Sequence, residues 1–291
     1  MKVGFVSIVG RPNVGKSTLL NKILDYEVSI TSSKPQTTRD QIKGIYNDND
    51  SQIIFIDTPG IHKPQQALSE NLNEASYSSV KDADIILFLT PLDEPIGPGD
   101  KMIIKKIIKK PNVVAVMTKL DKSDNEAAKV KALELRELGF DKIIGTSVEI
   151  KESIKAIISF LKEELPEGHT FYDADEITDK SMRFITKEII REAVINRVTD
   201  EIPHSIGVLV EEYLEPETPD DKYIIRAFIY VERESQKGII VGKQGNKIKA
   251  IGTEAREKLY NILEHKIYLD LRVKVKKNWT DNIHEIKKMG Y

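Results

Sequence analysis

The sequence predicts two domains: an α/β domain with a mostly parallel sheet and helices on both faces, followed by a smaller α+β domain. The chain has 291 residues, more than the commonest size of a single domain. Its first half alternates short apolar runs with amphipathic stretches, whereas its second half orders its elements differently. We place the first domain at residues 1–167, a linker at 168–180 and the second domain at 181–291.

Four apolar runs in the first domain lack the apolar–polar alternation of a half-exposed strand. Such runs are typical of strands buried in a parallel sheet. The predicted strands are Val3–Val9, Gln52–Ile56, Ile85–Thr90 and Val113–Met117. The predicted helices are Lys101–Lys110, Ala127–Leu138 and Ile150–Leu165. Ligands of such sheets bind at the carboxyl ends of the strands, so functional residues are expected there.

The pattern changes after the last of these helices. Pro166 and Gly168 break the helical periodicity, and an acidic stretch follows as far as Lys180, which is typical of a linker. The elements predicted beyond it are a helix at Met182–Val198, strands at Ile206–Tyr213 and Tyr223–Val231, helices at Ser235–Val241 and Asn246–Glu264, and a strand at Ile267–Lys276. The order α-β-β-α-α-β predicts a small α+β domain.

Composition limits the classes of function. Apolar residues make up 40% and charged residues 31% of the chain, which is ordinary for a protein with a buried core. A net charge of −2 gives no chain-wide attraction to anions, so an anionic partner must meet a local patch. The lack of cysteine excludes disulfides and Cys-ligated zinc. Because no long apolar run and no cleavable signal at Met1–Val9 are present, we expect a cytoplasmic protein.

A glycine-rich motif follows the first predicted strand. Residues 10–17, GRPNVGKS, match G-x-x-x-x-G-K-[ST], and the helix-compatible run Thr18–Leu24 comes next. Glycines let backbone N–H groups surround phosphate oxygens, and a helix start favours anions. Lys16 is expected to reach the β- and γ-phosphates, and the Ser17 hydroxyl to hold Mg²⁺. The nucleotide-binding residues expected here are Gly10, Arg11, Pro12, Asn13, Val14, Gly15, Lys16, Ser17 and Thr18.

A second motif, D-T-P-G at residues 57–60, ends the second predicted strand. Asp57 is expected to hold Mg²⁺ through water, and the Gly60 N–H to meet a γ-phosphate. The polar stretch Ser32–Asp40 lies between the two motifs. A threonine there can complete the Mg²⁺ shell only when the γ-phosphate is present, which makes the stretch a candidate switch loop. Both Thr37 and Thr38 stay candidates. The expected metal ligands are Ser17, Thr37, Thr38 and Asp57.

Residues 118–121, TKLD, follow the fourth predicted strand. Asp121 can accept from the N1–H and the exocyclic amine of guanine, a pair of donors that adenine lacks. The stem of Lys119 can lie along the base. A later loop carries Ser147 and Val148 and is expected to reach the edge of the nucleotide. The expected base-binding residues are Thr118, Lys119, Asp121, Ser147 and Val148.

In this order, the segments GRPNVGKS, QTTRD, DTPG, TKLD and TSVE resemble the translation-factor-related GTPases. The second half narrows the resemblance: IPHSIG, IYVER, SQKGIIVGKQG and VKVKKNW are similar to the Era family of bacterial ribosome-assembly GTPases. The resemblance covers nearly the whole chain. It implies a P-loop GTPase domain followed by a type II KH domain. It also implies binding of GTP or GDP with Mg²⁺, contact with small-subunit ribosomal RNA near its 3′ end, a role in maturing that subunit, and association with the inner membrane surface.

The chain departs from the family pattern in two places. The family motif is Asn-Lys-x-Asp, but Thr118 replaces the Asn, so we expect weaker guanine binding with specificity kept by Asp121. Val148 replaces an Ala and is expected to be tolerated, because the contact is a backbone N–H to the guanine carbonyl.

The residue after Gly60 bears on hydrolysis. Ile61 stands where many switch GTPases carry a water-orienting Gln, which predicts slow intrinsic hydrolysis. In relatives that share it, Asn13 helps bind K⁺, so K⁺ is a further candidate ion. We interpret His62 as a solvated loop residue. The residues expected to act in hydrolysis are Lys16, Asn13, Thr37, Thr38 and Gly60.

A G-x-x-G motif at residues 242–245 joins two predicted helices of the second domain. In KH domains such a loop clamps the backbone of about four nucleotides, and the lysines around it supply local positive charge. We expected an apolar floor from Ile239, Ile240, Val241 and Ile248. The candidate RNA-binding residues are Lys237, Gly238, Gly242, Lys243, Gln244, Gly245, Lys247 and Lys249. For Lys274, Lys276, Lys277 and Trp279, RNA contact and a solvated edge strand with a buried aromatic ring stay open.

The leading hypothesis is a monomeric, RNA-dependent GTP switch in small-subunit assembly. One alternative is an RNA-binding module whose nucleotide site is mainly structural. Another is a membrane-surface signalling GTPase that uses lysines on one helix, although their pattern favours the wet face of an amphipathic helix. These lysines are Lys105, Lys106, Lys109 and Lys110.

Overall fold

The computed structural model describes residues 1–31, 39–61, 67–122, 124–198 and 205–290. By its internal contacts the chain forms two compact units. The first comprises most residues up to Asp179, and the second comprises the residues from Lys180 onward together with short segments that include Ile30 and Leu68.

The first unit is built on a six-stranded sheet in the order β2-β3-β1-β4-β5-β6. Its strands are β1 Lys2–Val9, β2 Ile42–Asn47, β3 Ser51–Asp57, β4 Ile85–Pro91, β5 Val113–Thr118 and β6 Lys142–Gly145. All neighbours are parallel except β2, which is antiparallel to β3. Every residue of β3 and β4 is buried, which confirms the mostly parallel, buried sheet.

The helices of this unit are α1 Lys16–Leu24, α2 Ala67–Ser79, α3 Pro98–Ile107, α4 Asn125–Glu137 and α5 Lys151–Glu164. The predicted helix at Lys101–Lys110 corresponds to α3, whose Ile103, Ile104 and Ile107 are all buried. Lys105 and Lys106 on the same helix are exposed, as expected of its wet face. The sequence analysis missed α2, β2 and β6.

The segment interpreted as a linker, residues 168–180, follows the β2–β3 edge of the sheet. The buried Gln52 side chain on β3 accepts from the N–H groups of Phe171 at 2.7 Å and Tyr172 at 3.1 Å. On β2, the Ile45 N–H donates to Ile177 O at 2.8 Å. The segment therefore covers backbone groups that an edge strand otherwise exposes.

The second unit has the predicted order of elements. Its elements are α6 Met182–Asn196, β7 Gly207–Leu214, β8 Tyr223–Val231, α7 Glu234–Val241, α8 Asn246–Leu263, β9 Ile267–Val275 and α9 Ile283–Lys288. The sheet order is β7-β8-β9, with β7 antiparallel and β9 parallel to β8. The two-helix crossover α7–α8 joins the parallel strands, which confirms the α+β prediction; the short α9 was not predicted.

Trp279 lies in the core of the second unit and is fully buried. Its indole N–H donates to Ser205 O at 2.9 Å. Of the two interpretations of this residue, the buried aromatic ring is correct and direct RNA contact by Trp279 is wrong. Within the described ranges, no helix is both long and apolar enough to cross a membrane.

Candidate functional site

The phosphate loop joins β1 to α1 through backbone that favours glycine or asparagine. Gly15 has φ 98° and Asn13 has φ 65°, both in the left-handed region. A Cβ at Gly10 would lie 2.8 Å from Leu89 O, so only glycine fits against β4. The loop therefore folds back tightly and ends at the N-terminus of α1, where anions are favoured.

Lys16 is buried beneath this loop. Its ammonium donates to the carbonyl oxygens of Arg11 at 2.9 Å and Gly10 at 3.3 Å. Burial lowers the pKa of Lys16 to about 8, and the negative charge of Asp57 opposes this shift. The ammonium thus lies inside the loop that is expected to surround the phosphates.

Asp57 ends β3 and is fully buried. Its Oδ2 accepts from the hydroxyls of Ser17 at 2.7 Å and Ser29 at 2.8 Å. Burial raises the pKa of Asp57, while the charge of Lys16 and the two serine hydroxyls act against the rise. Sequence reasoning missed Ser29, because no motif marks it.

These oxygens suit Mg²⁺. The Oδ1 atom of Asp57 is buried and has no hydrogen-bond partner among the described residues, and Mg²⁺ prefers carboxylate and hydroxyl oxygens together with phosphate. Ser17 and Asp57 would hold the ion, which neutralises charge on the phosphate oxygens when bound. The described part of the chain holds no group of three or more His, Cys, Asp or Glu residues placed to bind a metal. The candidate ligands Thr37 and Thr38 and the loop residue His62 lie outside it.

The D-T-P-G segment packs directly on the phosphate loop. A Cβ at Gly60 would lie 2.7 Å from the backbone N and Cα of Pro12, so the approach requires glycine. The Ile61 N–H donates to Gly10 O at 3.2 Å. The side chain of Ile61 is buried in an apolar cluster, which agrees with its inability to orient water.

Thr118 ties the base-recognition loop to the phosphate loop. Its buried hydroxyl donates to Val14 O at 2.9 Å. This hydrogen bond joins the loop after β5 to the phosphate loop. A threonine hydroxyl has no amide with which to bond the base in addition, so the expectation of weaker guanine binding stands as a prediction.

Asp121 and Ser147 meet at the far end of the cleft, where the Ser147 hydroxyl donates to Asp121 Oδ1. This hydrogen bond is the main cause of the lowered pKa of Asp121, so the carboxylate is an acceptor at neutral pH. The Ser147 N–H donates to Ser153 Oγ at 3.0 Å. Of the two expected backbone donors, Val148 is therefore the better candidate for the guanine carbonyl.

The base-recognition residues and part of the phosphate loop line one cleft of about 240 Å³, whereas Lys16, Ser17 and Asp57 do not line it. It lies at the carboxyl ends of the strands, between the start of α1 and the loops after β5 and β6. Its lining residues are Asn13, Val14, Gly15, Thr18, Leu19, Thr118, Lys119, Asp121, Lys122, Thr146, Ser147, Val148 and Glu149. The side chain of Arg11 lies elsewhere, with its guanidinium beside Glu94 and Asp100. Any contact of Arg11 with phosphate therefore falls to its backbone.

In the second unit, the G-x-x-G loop turns sharply between α7 and α8. Gly242, Gln244 and Gly245 have φ values of 71°, 52° and 76°. A Cβ at Gly242 would lie 2.7 Å from Lys247 Cβ, whereas one at Gly245 meets nothing within 4 Å. Lys243 is exposed, so its charge and the backbone beside Gly245 are open to a polyanion.

The apolar floor expected beside this loop is partly wrong. Ile240 is fully buried in the core of the second unit, because the face of α7 that carries it packs inward. Ile239 is exposed and is a candidate contact for a base. Of the flanking lysines, Lys237 pairs loosely with Glu234 at 3.9 Å.

The start of α7 is fixed by Gln236. Its Oε1 accepts from the N–H groups of Glu232 at 2.9 Å and Arg233 at 3.1 Å, and its Nε2 donates to Ser205 Oγ at 2.9 Å. Trp279 bonds the carbonyl of the same serine. The helix that leads into the G-x-x-G loop is thus anchored to the core of the second unit.

The fold and the site define a P-loop GTPase joined to a KH domain. Residues 5–119 match the family model of a 50S ribosome-binding GTPase, and residues 201–280 match a KH domain. The chain is 50% identical over 293 residues to GTPase Era of Mycoplasmopsis agalactiae, with 100% of both chains covered. It is 49% identical to GTPase Era of Mycoplasmopsis pulmonis, with 99% of both covered. The chain belongs to the Era family of GTPases.

Two solved structures match both units. One is a variant of Aquifex aeolicus Era bound to GDP and AlF₄⁻. The other is Era in complex with MgGDPNP and nucleotides 1506–1542 of 16S ribosomal RNA. Each has a TM-score of 0.95 and is 36% identical to this chain. Each match covers 100% of this chain and 99% of the solved chain.

The Thr118 hydroxyl is expected to support GDP binding. Thr118→Val leaves Val14 O without its buried donor, which costs on the order of 1–2 kcal/mol, or about tenfold in affinity. Thr118→Ser is expected to retain wild-type binding, and Thr118→Asn to tighten it. Titration calorimetry with GDP measures each change.

The matched control is Thr90→Val on β4. Thr90 is also buried, but its hydroxyl has no partner among the described residues, so the substitution is expected to leave GDP affinity unchanged. Equal effects of the two Thr→Val changes would contradict a specific role of Thr118.

The lowered pKa of Lys16 predicts a pH dependence of GDP binding. Phosphate oxygens favour the ammonium form, so the pKa of Lys16 is higher in the complex than its value of about 8 in the free protein. The affinity for GDP is therefore flat below that pH and falls above it, by up to about tenfold per pH unit. Binding measured from pH 6.5 to 9 checks this, with guanosine, which lacks phosphates, as the control. If the affinities for GDP and guanosine changed with pH in the same way over this range, the prediction would be contradicted.

Proposed function

We propose that this protein is a GTP-hydrolysing switch that binds small-subunit ribosomal RNA near its 3′ end through its KH domain and acts in assembly of that subunit. The observation that carries the proposal is the presence of two built sites in one chain. One is the phosphate loop with Lys16, Ser17 and Asp57, together with the adjoining cleft of base-recognition residues, and the other is an open G-x-x-G loop flanked by lysines.

The geometry of the first unit supports GTP and Mg²⁺. Lys16 and the start of α1 favour phosphate, and Ser17 and Asp57 offer oxygens to the ion. At the other end of the cleft, Asp121 offers an ionised acceptor to the two donors of guanine. The position of the Lys16 ammonium inside the phosphate loop supports a role for Lys16 in hydrolysis. We propose that Gly60, Thr37 and Thr38 also act in this step.

Two observations support RNA as the partner of the second unit. A solved Era complex, similar to this chain over its whole length, contains nucleotides 1506–1542 of 16S ribosomal RNA. In this chain the left-handed glycines of the G-x-x-G loop allow a sugar-phosphate backbone to approach closely. Lys243, Lys247 and Lys249 lie at or beside the start of α8, where they complement phosphate charge.

A membrane-surface role remains the alternative of lower support. Lys105, Lys106, Lys109 and Lys110 are exposed, but the ammonium of Lys106 lies 3.8 Å from the ring centroid of Tyr77, which is compatible with an ordinary helix surface. Co-sedimentation with anionic vesicles distinguishes a membrane-surface role from an ordinary helix surface. The comparison is between the wild type and a variant in which all four lysines are changed to Glu. We further propose that the protein is monomeric and cytoplasmic.

One prediction of the proposed function concerns which RNA is bound. Crosslinking followed by sequencing is expected to recover the 3′ end of small-subunit ribosomal RNA with the wild type, and to lose it with Gly245→Asp. Aspartate tolerates the left-handed backbone and no atom lies within 4 Å of a Cβ there, so the variant should stay folded while adding a negative charge. Lys129→Glu on α4 is the charge control. Recovery of the same RNA fragments by wild type and Gly245→Asp would count against the KH loop.

The second prediction concerns K⁺. Asn13 is exposed in the phosphate loop and its amide oxygen suits a monovalent cation at the developing phosphate charge. Turnover is expected to be several-fold faster in KCl than in NaCl at equal ionic strength. Asn13→Gly, which keeps the left-handed backbone accessible, is expected to abolish the difference. Equal rates of the wild type in the two salts would exclude K⁺ activation.

A further inference from the structure

A cluster of charged side chains lies beside the nucleotide cleft. Two of its members, Arg11 and Lys119, belong to the predicted nucleotide-binding residues, and the other four have no role assigned above. The cluster centres on residues 92–97, which connect β4 to α3 and which we call the β4–α3 loop. The members of the cluster are Arg11, Asp93, Glu94, Asp100, Lys119 and Lys131.

Lys131 connects the β4–α3 loop to α4. It is buried on α4, and its ammonium donates to Pro91 O at 3.0 Å and to Glu94 O. Burial lowers its pKa. On the same helix Val130 and Leu133 are exposed, so α4 turns a lysine inward and apolar side chains outward. Because a buried ammonium is costly unless its donors are met, this orientation indicates that holding the loop carbonyls is the role of Lys131.

Asp100 holds the other end of the loop. It is fully buried, accepts from the Gly97 N–H at 2.9 Å, and lies 2.7 Å from Arg11 Nε. A Cβ at Gly99 would lie 2.9 Å from Arg11 Cδ, so the stem of Arg11 crosses α3 where a larger residue does not fit. The phosphate loop is thereby docked on the start of α3.

Glu94 connects the two halves of the cleft. One carboxylate oxygen lies 3.1 Å from Arg11 of the phosphate loop, and the other lies 3.4 Å from the ammonium of Lys119 in the base-recognition loop. Asp93 lies 3.2 Å from the same ammonium. Lys119 has φ 61°, an uncommon backbone conformation that surrounding contacts must maintain.

We propose that Glu94 is a positioning residue for guanine nucleotides, which the β4–α3 loop holds between Arg11 and Lys119. With its ammonium held, the stem of Lys119 stays extended along the face of the base, and less side-chain freedom is lost when the nucleotide binds. The loop therefore sets how long the nucleotide stays bound, more than the rate of the hydrolytic step. This inference rests on the proposed function, since it takes the cleft to be the guanine-nucleotide site.

The test is the release rate of fluorescent mant-GDP from Glu94→Gln and Lys131→Met, measured by stopped flow in the full chain. The matched controls are Glu126→Gln and Lys129→Met, which change the same residue types in an exposed pair on α4. Single-turnover GTP hydrolysis by saturating enzyme gives the rate of the chemical step. Circular dichroism melting checks that each variant is folded.

Release is expected to be about fivefold to tenfold faster in both test variants, which corresponds to about 1 kcal/mol, because each variant loses contacts that hold the β4–α3 loop. The single-turnover rate is expected to stay within about twofold of wild type. The controls are expected to match wild type. Unchanged release in Glu94→Gln, or equal effects on release and on the chemical step, would overturn the proposal. If Lys131→Met does not fold, the half-exposed Glu94→Gln still decides the matter.

A double-mutant cycle separates positioning from general loosening. If Glu94 acts through Lys119, then Glu94→Gln adds little to Lys119→Met; full additivity of the two effects would contradict the route through Lys119. Wild-type binding of mant-GDP is recorded first. Absence of that binding refutes the proposed nucleotide site itself, whereas binding without an effect of Glu94 refutes only the positioning role.

Discussion

The buried carboxylate of Asp57 is the contact on which the nucleotide site depends. It gathers the hydroxyls of Ser17 and Ser29 and faces the charge of Lys16. A buried carboxylate is costly unless such groups surround it. The same groups are the ones that a magnesium ion and phosphates require. The groups that offset the burial of Asp57 are therefore also the groups suited to metal and phosphate binding, as in preorganised sites.

The two units share a structural feature that favours binding of anions. α1 begins immediately after Gly15, and α8 begins immediately after Gly245, and both glycines have left-handed backbone. In each case a glycine turn places the positive end of a helix dipole and nearby N–H groups at the surface. In the first unit, Thr118 ties the loop after β5 to the phosphate loop, and we propose that this loop selects the guanine base. The second adds lysines, which favour a chain of phosphates.

Sequence alone predicted the central strands and the motifs at their ends, because burial on both faces produces unbroken apolar runs. It missed β2, because Gly44 interrupts the strand pattern there; a Cβ at Gly44 would lie 2.6 Å from Leu24 Cδ1 and 2.7 Å from Leu20 Cδ1. It missed Ser29 and Lys131, because their roles come from tertiary contacts with Asp57 and with loop carbonyls. It misplaced Ile240, because a short apolar stretch on α7 does not reveal which neighbour faces the core.

A switch of the proposed kind requires that nucleotide binding and RNA binding are coupled. The most direct test uses an RNA fragment that corresponds to nucleotides 1506–1542 of 16S ribosomal RNA. Its affinity is measured for the protein bound to GDPNP, for the protein bound to GDP, and for the protein without a guanine nucleotide. We expect the RNA to bind more tightly to the GDPNP-bound protein than to the GDP-bound protein. By linkage, the RNA must raise the affinity for GDPNP relative to GDP by the same factor. The same RNA affinity in all three states would contradict the switch, whatever the separate affinities of the two sites.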